Sequence, residues 1–493
     1  MTILAIDAGT TGVTALLVSP AGEVLATGYS EFPQHFPADG YVEHELGEIW
    51  AATLAATRHA LTWGDVQITA IGITNQRETI CFWDRETLGG ARRAIVWQDR
   101  RSAELCIRLR EAGYEPFVTE ATGLRLDPYF SATKLAWVRE HEPVIWQRVI
   151  DGDIAIGTVD SYLIARMTRG LEHVTDATNA SRTLLYDIRS GEWNPELCAL
   201  FQIPIAALPR IVDSYGVVAH SDPSAFLGID APIAGIAGDQ QAALVGQAGF
   251  AAGATKCTYG TGSFLLQHTG TQIVRSSHGL LTTVALQHPG GARDFALEGA
   301  IFVTGSAVQW LRDGLGIIDD SAQVESRAAS VPDSAGIVFV PALTGLGAPD
   351  WDPAARGLII GITRGTTAAH IARATLEAIA FEVRDIVTLM ETESGTRLTA
   401  LHVDGGATAD DLLMQIQADV LGTIVDRSLH TQTTGLGAAY LAGLGTGIWS
   451  SVDELIDSRR SSGRFTPDTS NDYDALHSRW RNAVERSKDW AGA

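Results

Sequence analysis

Two segments far apart in the chain share one pattern, in which an apolar run ends in a turn of glycine and threonine and a second strand follows. The first turn is DAGTTG at residues 7–12, after the apolar run 3–6, and the second is YGTGSF at residues 259–264. Glycine lets the backbone approach a phosphate closely, while hydroxyls and a nearby carboxylate can bind the phosphate and its metal ion. One such turn is usually a plain hairpin. Two of them predict two similar halves that clamp one nucleotide.

Composition limits the class of protein. The chain has 493 residues, of which 45% are hydrophobic and 19% are charged, as in ordinary soluble enzymes of two or more domains. Its net charge of -22 argues against a nucleic-acid partner, which would need clustered Lys and Arg. No window approaches the roughly 18 apolar residues of a membrane span, so we expect no membrane insertion. Four widely spaced cysteines without a CxxC pair favour a reducing, cytoplasmic location.

Short apolar runs alternate with amphipathic stretches along the chain, which predicts the α/β class. Runs at residues 71–73, 233–237, 337–340 and 401–403 are typical of buried strands, and a long amphipathic helix is predicted to begin near Thr367. The glycine- and alanine-rich segment 246–253 separates the two glycine turns. We therefore expect one domain at residues 1–248, a second at 249–493, and a cleft between them.

The segment GIAGDQQ at residues 235–241 ends a predicted strand and starts a helix, which puts Asp239 at the carboxyl edge of a sheet. Ligands of α/β proteins bind at such edges. Asp239 either caps the helix or accepts a proton from an alcohol that attacks phosphorus.

Adjacent Arg77 and Glu78 follow the strand at 71–73. They are either a solvated pair or, inside a cleft, a donor and an acceptor for two neighbouring hydroxyls of a polyol. Trp97 and Tyr129 lie in loops beside charged residues or proline, where an aromatic ring packs in a core or forms the apolar wall of a small-ligand pocket.

Taken together, the ordered segments resemble the glycerol kinases within the FGGY family of carbohydrate kinases. The likeness runs over about residues 3 to 450 and includes NQRET at 75–79, IVWQ at 95–98, LDPYFS at 126–131, GTVD at 157–160, VTDATNASR at 174–182, LEGA at 297–300, QWLRD at 309–313 and GLGAAYLAG at 435–443. This resemblance implies a two-lobed, duplicated actin/hexokinase/Hsp70-type (ribonuclease H-like) fold with a central cleft. It also implies ATP-dependent phosphorylation of glycerol to sn-glycerol 3-phosphate, with Mg²⁺.

The resemblance assigns a role to each matching residue. Asp239 would be the general base, and Asp7 and Asp239 would hold Mg²⁺. Glycerol would be bound by Arg77, Glu78, Tyr129, Asp239 and Gln240 between apolar walls formed by Trp97 and Phe264. The nucleotide would contact Thr10, Thr11, Gly12, Thr261, Gly305, Gln309, Gly406 and Asp410.

Two departures from the family pattern concern the nucleotide. Ala8 and the segment GVT at 12–14 replace the Gln and the Ser-Ser-Arg of the usual Asp-Gln-Gly-Thr-Thr-Ser-Ser-Arg hairpin, so an arginine that would contact phosphate is missing at Thr14. Asp410 and Asp411 stand where the family often has two asparagines. Two alternatives therefore stay open: an FGGY kinase for another polyol or sugar, of the erythritol or xylulose type, and a non-catalytic nucleotide-binding protein of the same fold. A homo-oligomer, dimer or tetramer, is compatible with the sequence.

Overall fold

Each half of the chain is built around one large sheet. The computed structural model describes residues 1–64, 66–468, 470 and 472–492. In the first half the strands are β1 (Thr2–Ala8), β2 (Gly12–Val18), β3 (Val24–Glu31), β4 (Glu43–His44), β5 (Ile68–Asn75), β6 (Ile80–Asp84), β7 (Gly90–Ile95), β8 (Ile154–Gly157), β9 (Val174–Asp176), β10 (Tyr186–Asp187), β11 (Glu192–Trp193), β12 (Arg210–Val212), β13 (Tyr215–His220) and β14 (Pro232–Gly238). The helices of this half are α1 (Leu46–Leu61), α2 (Ala103–Glu111), α3 (Glu115–Thr122), α4 (Ser131–His141), α5 (Pro143–Ile150), α6 (Val159–Met167), α7 (Ala177–Ala180), α8 (Pro195–Phe201) and α9 (Asp239–Gly246).

The second half has the same kind of organisation. Its strands are β15 (Thr255–Tyr259), β16 (Ser263–Gly270), β17 (Leu281–Gln287), β18 (Arg293–Ile301), β19 (Val338–Val340), β20 (Leu358–Ile360), β21 (Ala400–Asp404), β22 (Ile424–Ser428) and β23 (Ser461–Phe465). Its helices are α10 (Gly305–Asp313), α11 (Gln323–Ala329), α12 (Ala368–Ser394), α13 (Asp411–Leu421), α14 (Thr433–Gly445), α15 (Val452–Ser458) and α16 (Tyr473–Ser487).

The two large sheets repeat one topology. The first has the order β13-β14-β5-β1-β2-β3, and the second has the order β17-β18-β16-β15-β21-β22-β23. In each, an antiparallel hairpin (β1 with β2, β15 with β16) is extended on one side by parallel strands (β5 and β14, β21 and β22). The duplication inferred from the two glycine turns is therefore a duplication of whole sheets, with β17 as an extra edge strand in the second.

Most predicted elements form where the patterns place them. The runs at 71–73, 233–237 and 401–403 lie within β5, β14 and β21, and α12 begins directly after its N-cap, Thr367. The run at 337–340 differs in its placement. It forms β19, which pairs with β20 in a separate two-stranded sheet instead of joining the large one.

Helix α14 belongs to the second half by sequence but packs on the first sheet, against β1, β5 and β14. Its residues 435–443 are all buried, as expected for a helix that is apolar or small on every side. Glycines in the sheet make room for it: a Cβ added at Gly72 would lie 2.1 Å from the carbonyl oxygen of Ala438, and one at Gly235 would lie 2.3 Å from the amide nitrogen of Ala442. Side chains larger than hydrogen are thereby excluded at both positions.

Helix α9, which ends the first half, crosses α14 and reaches β15, β16 and β17 of the second sheet. The two helices touch through their backbones. A Cβ added at Gly437 would lie 1.8 Å from the carbonyl oxygen of Ala242, and one at Gly246 would lie 2.0 Å from that of Thr433. Each half thus contributes a helix that covers the sheet of the other half.

Among the residues that the structure describes, no helix is long and apolar enough to cross a membrane.

The crossing of α9 and α14 predicts a large cost for one added methyl group. Gly437→Ala is expected to lower the free energy of unfolding by about 3 kcal/mol or more, because backbone atoms cannot give way as a side chain can. Gly47→Ala, in α1 where a Cβ would meet nothing within 4 Å, is the matched control and should be neutral or stabilising by up to about 1 kcal/mol. Urea unfolding of both variants measures the difference, and equal effects would contradict the proposed close contact.

Candidate active site

The first glycine turn joins β1 to β2, and side chains from neighbouring segments hydrogen-bond to it. Its ends are bonded by the amide of Gly9, which donates to the carbonyl of Gly12 at 3.0 Å. The side-chain amide of Gln76 donates to the carbonyl of Gly9 at 2.9 Å, and the indole nitrogen of Trp97 donates to Oγ1 of Thr10 at 3.0 Å. The turn and the predicted apolar wall, Trp97, are therefore one connected unit.

The second glycine turn, between β15 and β16, has the same internal bond, from the amide of Gly260 to the carbonyl of Gly262 at 2.9 Å. Its support comes from the first turn of α10, whose amides at Gly305 and Ser306 donate to the carbonyls of Gly260 and Thr261 at 3.0 and 3.1 Å. The two turns therefore share a local geometry as well as a sequence pattern.

A cavity of about 460 Å³ opens beside the second turn. Part of its wall consists of residues predicted to contact the nucleotide, namely Thr261, Gly305, Gln309, Gly406 and Asp410. The structure adds residues that carried no motif, among them Ser321, Glu325, Leu376 and Leu413. These come from α11, α12, α13 and the segment before α11, so the cavity depends on packing that no local pattern reveals.

Asp410 is the N-cap of α13, and its Oδ1 accepts from the amide of Leu413 at 2.8 Å. Its other oxygen, Oδ2, is buried without a hydrogen-bond partner among the described residues. Burial raises the pKa of Asp410 to about 6; the charge of Glu325 adds to this effect, and the bond from Leu413 opposes it. The cavity wall therefore carries a carboxyl group that titrates just below neutral pH.

Asp239 is the first residue of α9, whose N-cap is Gly238. Its Oδ1 lies 3.0 Å from Nε of Arg77 and accepts from the amide of Gln240 at 2.7 Å. The Asp239 side chain is 30% exposed, whereas those of Arg77 and Glu78 are each 2% exposed. The interpretation of Arg77 and Glu78 as a solvated pair is therefore wrong, and Asp239 is accessible to a small molecule.

Arg77 and Glu78 belong to a buried ionic cluster with two members that sequence analysis did not assign. Glu298, on β18, accepts from Nη1 and Nη2 of Arg77 at 2.6 and 3.1 Å and from Nη2 of Arg182 at 2.8 Å. Nε of Arg182 donates to Oε1 of Glu78 at 2.6 Å. Burial alone would raise the pKa of Glu298, but Arg182 and Arg77 outweigh it and hold that pKa below its usual value. In the sequence, Glu298 was marked only by the LEGA segment at 297–300, which matches the family pattern.

The backbone at Glu78 is also unusual. Its φ is 61°, in the left-handed region that side chains other than those of glycine, asparagine and aspartate seldom adopt. Such a conformation persists only where the surroundings hold it, and here Oγ of Ser131 donates to the carbonyl of Glu78 at 3.0 Å. The orientation of the Glu78 carboxylate is thus set by its backbone conformation as well as by the hydrogen bond from Arg182.

The predicted aromatic wall is present on the side of the first half. The rings of Trp97 and Tyr129 meet edge to face with centroids 5.7 Å apart, and the guanidinium of Arg182 lies 5.8 Å from the Tyr129 ring. Edge-to-face pairs of this kind are stable beyond the area that they bury. Trp97 therefore connects the first glycine turn to Tyr129, which lies against the ionic cluster.

Phe264 and Gln240 lie on the side of the second sheet. Phe264 pairs with Thr258 and Ala300, so it shares a sheet face with Glu298, two residues from Ala300. On that face Nζ of Lys256 donates to Oε1 of Gln240 and, at 3.0 Å, to Thr258. Phe264 thus lies on the face of the second sheet that meets α9, and Gln240 of α9 is bonded to that face through Lys256.

Asp7 lies on β1 just before the first turn. Burial and, as the smaller cause, the charge of Asp239 together raise its pKa to about 7, so the two carboxylates are near enough to interact. Among the described residues, no group of three or more His, Cys, Asp or Glu side chains is arranged to hold a metal ion. Two mutually repelling carboxylates nevertheless suit a hard divalent cation that takes further oxygen ligands from phosphates and water.

Residues 2–246 match the N-terminal domain of the FGGY family of carbohydrate kinases, and residues 255–446 match its C-terminal domain. The chain belongs to this family. The resemblance and the enzyme class predicted from the sequence are confirmed.

Several kinases are similar to this chain over almost its whole length. A glycerol kinase of Aromatoleum aromaticum is 52% identical over 495 residues, which span 100% of this chain and 99% of that protein. The crystal structure of Plasmodium falciparum glycerol kinase with ADP is 36% identical, with a TM-score of 0.93 over 99% of this chain and 98% of that one. A ligand-bound xylulose kinase of Lactobacillus acidophilus, 21% identical over 99% of both chains with a TM-score of 0.89, shares the fold. These likenesses confirm the predicted fold class.

Proposed function

We propose that the protein transfers the γ-phosphoryl group of ATP to glycerol and forms sn-glycerol 3-phosphate. The observation that carries the proposal is the accessible Asp239 carboxylate, held 3.0 Å from a buried Arg77 at the start of α9. The full-length identity of 52% to a glycerol kinase supports glycerol as the acceptor. A module that only binds nucleotide has little need for a carboxylate in that place.

In the proposed complex, glycerol lies between the two sheets. Arg77 donates to one hydroxyl and Glu78 accepts from its neighbour, since a guanidinium can only donate and a carboxylate can only accept. Tyr129 and Gln240 bind the remaining hydroxyl positions, and the rings of Trp97 and Phe264 cover the C–H faces. This division of roles suits a molecule with a hydroxyl on every carbon.

The nucleotide occupies the cavity beside the second turn, with its nucleoside near Gln309, Gly406 and Asp410. Its phosphates extend to backbone amides and hydroxyls of the two turns. The contacts proposed there are Thr10, Thr11, Gly12, Thr261 and Gly305.

The transfer needs one proton acceptor. The hydroxyl oxygen of glycerol forms a bond to the γ-phosphorus, the bond from that phosphorus to the β–γ bridging oxygen breaks, and the hydroxyl proton passes to Asp239. ADP leaves with the electron pair of the broken bond. Arg77 keeps Asp239 oriented toward the acceptor, so most of the acceleration comes from positioning.

Asp7 and Asp239 would hold Mg²⁺, as proposed from the family pattern. When bound, the ion neutralises charge on the phosphates. Binding also requires Asp7 to be ionised, which its raised pKa of about 7 permits at neutral and higher pH.

A second candidate is a kinase of the same family for another polyol or sugar, of the erythritol or xylulose type. The feature that favours it is the first turn, where Ala8 and Thr14 depart from the usual glycerol-kinase pattern. The features that favour a non-catalytic nucleotide-binding protein are Thr14 and Asp410, which depart from the family pattern. The domain boundary between residues 248 and 249, the cytoplasmic location and a homo-oligomer stay predictions.

An acceptor panel tests the proposal directly. Purified protein with ATP and Mg²⁺ is expected to release ADP in proportion to glycerol 3-phosphate, and to prefer glycerol over erythritol and xylulose in kcat/KM. Dihydroxyacetone, which lacks the middle hydroxyl as a donor, should be a poorer substrate. Faster turnover of erythritol or xylulose than of glycerol would favour the second candidate.

Asp239→Asn separates a kinase from a binding module. Turnover is expected to fall by about a hundredfold to ten-thousandfold, because asparagine cannot accept the proton. ADP affinity, measured by calorimetry without Mg²⁺, should stay within about twofold of the wild-type value, since the side chain keeps its size and the nucleoside cavity is untouched. A variant that retained most of its turnover would show that Asp239 is not the base.

Asp410→Asn tests the carboxyl group in the nucleoside cavity. Asp410 is neutral below its pKa of about 6 and charged above it, and ADP is an anion. The variant should therefore bind ADP about threefold to tenfold more tightly than the wild type at pH 8, with the difference vanishing at pH 5. Asparagine also caps helices well, so the fold is retained. Comparing the two proteins at each pH cancels the titration of ADP itself, and a constant ratio would contradict the prediction.

A further inference from the structure

The ionic cluster contains a carboxylate with no place in the proposed chemistry. Glu298 is fully buried on β18, in the sheet of the second half, while Arg77, Glu78 and Arg182 come from the first half. Its Oε2 accepts from Nη1 of Arg77, and its Oε1 accepts from Nη2 of both Arg77 and Arg182. One side chain of the second half thus binds two cations of the first.

The hydrogen bonds to Glu298 determine which N–H groups of Arg77 stay available to a ligand. A guanidinium has five N–H donors in a rigid plane. Glu298 takes one donor from each terminal nitrogen, and Nη1 also donates to Oε1 of Gln241 at 3.3 Å. Nε is left facing Asp239, and one N–H of Nη2 is left for a ligand. Glu298 therefore selects the edge of Arg77 that faces the site.

The same carboxylate acts on Glu78 through Arg182. Because Nη2 of Arg182 is bound to Glu298, its Nε is directed at Oε1 of Glu78, 2.6 Å away. Without Glu298, two buried guanidinium groups would compete for Glu78 and Asp239. The two groups that the proposed function assigns to polyol hydroxyls would then lose their fixed orientations.

We propose that Glu298 is a positioning residue for polyol recognition: it orients Arg77 and, through Arg182, Glu78, so that the hydroxyl-binding pair is complete only when the second sheet lies against the first half. This inference rests on the proposed function, because it concerns how that acceptor site is assembled. It assigns acceptor selectivity to a residue of the half that binds the nucleotide.

Glu298→Gln with a deoxy acceptor tests the role. KM for glycerol is expected to rise about 10- to 100-fold, the range for loss of a charge-assisted hydrogen bond, while ADP affinity stays within about twofold. 1,3-Propanediol lacks the middle hydroxyl, so it depends less on Arg77 and Glu78. The preference for glycerol over 1,3-propanediol in kcat/KM should therefore shrink by about tenfold or more. Equal losses on both acceptors would show a merely structural role and overturn the proposal.

Glu377→Gln is the matched control. Glu377 is also a buried glutamate of the second half, 4% exposed and paired with Arg373 at 2.9 Å on α12. Its loss should lower the melting temperature and leave the ratio of kcat/KM for the two acceptors unchanged. A similar collapse of that ratio in Glu377→Gln would overturn the proposal, because selectivity would then follow stability alone.

The double variant Arg182→Gln/Glu298→Gln covers the case in which Glu298→Gln does not fold. It removes one positive and one negative charge, so the cluster keeps its net charge. We expect it to fold, to bind ADP and still to lack the preference for glycerol; a restored preference would overturn the proposal. If the wild type phosphorylated another polyol instead of glycerol, the proposed function would fall, and the same comparison on that polyol and its deoxy analogue would decide the role of Glu298.

Discussion

The backbone contact between α9 and α14 is the constraint on which the arrangement of both halves depends. Gly246 and Gly437 remove the side chains that would hold the two helices apart. Each helix can then lie on the sheet of the opposite half. Both helices begin at the candidate active site. Helix α9 starts with Asp239. Gly435 lies in the first turn of α14, and a Cβ added there would lie 3.9 Å from Cβ of Asp7. The same glycines that join the halves therefore bring the two acidic residues together.

Burying charge between the halves is costly, and the structure offsets that cost within a small group. The carboxylates of Glu78, Glu298 and Asp239 contact the guanidinium groups of Arg77 and Arg182, and Lys256 lies on the same sheet face as Glu298. Apolar side chains of similar size often stabilise a protein as well as such a cluster does. What they lack is the ability to bind hydroxyl groups. In the proposed function, the cluster is retained for recognition, and stability alone does not require it.

Local patterns in the sequence predicted the features that are themselves local. The turns at 7–12 and 259–264, the strand-to-helix turn at Asp239 and the start of α12 after Thr367 all depend on neighbouring residues, and they form as expected. Glu298 lies in the LEGA segment that matches the family, but its role could not be assigned from the sequence, because its partner Arg77 is 221 positions away. Glu325 and Leu376 line the cavity beside the second turn through the packing of distant helices, so no local pattern in the sequence indicated them either.

The charge of the site also limits how a nucleotide can be bound. The chain carries a net charge of -22, the cavity wall includes Asp410 and Glu325, and Thr14 stands at the position where the family pattern was expected to have an arginine. In the ionic cluster, Arg77 and Arg182 are each bound to buried carboxylates. In the proposed function, phosphate is bound mainly by backbone amides and threonine hydroxyls of the two turns and by the metal ion. Both turns are held rigidly by neighbouring groups, by Gln76 and Trp97 on one side and by α10 on the other, so these weaker donors are already in place when the nucleotide arrives.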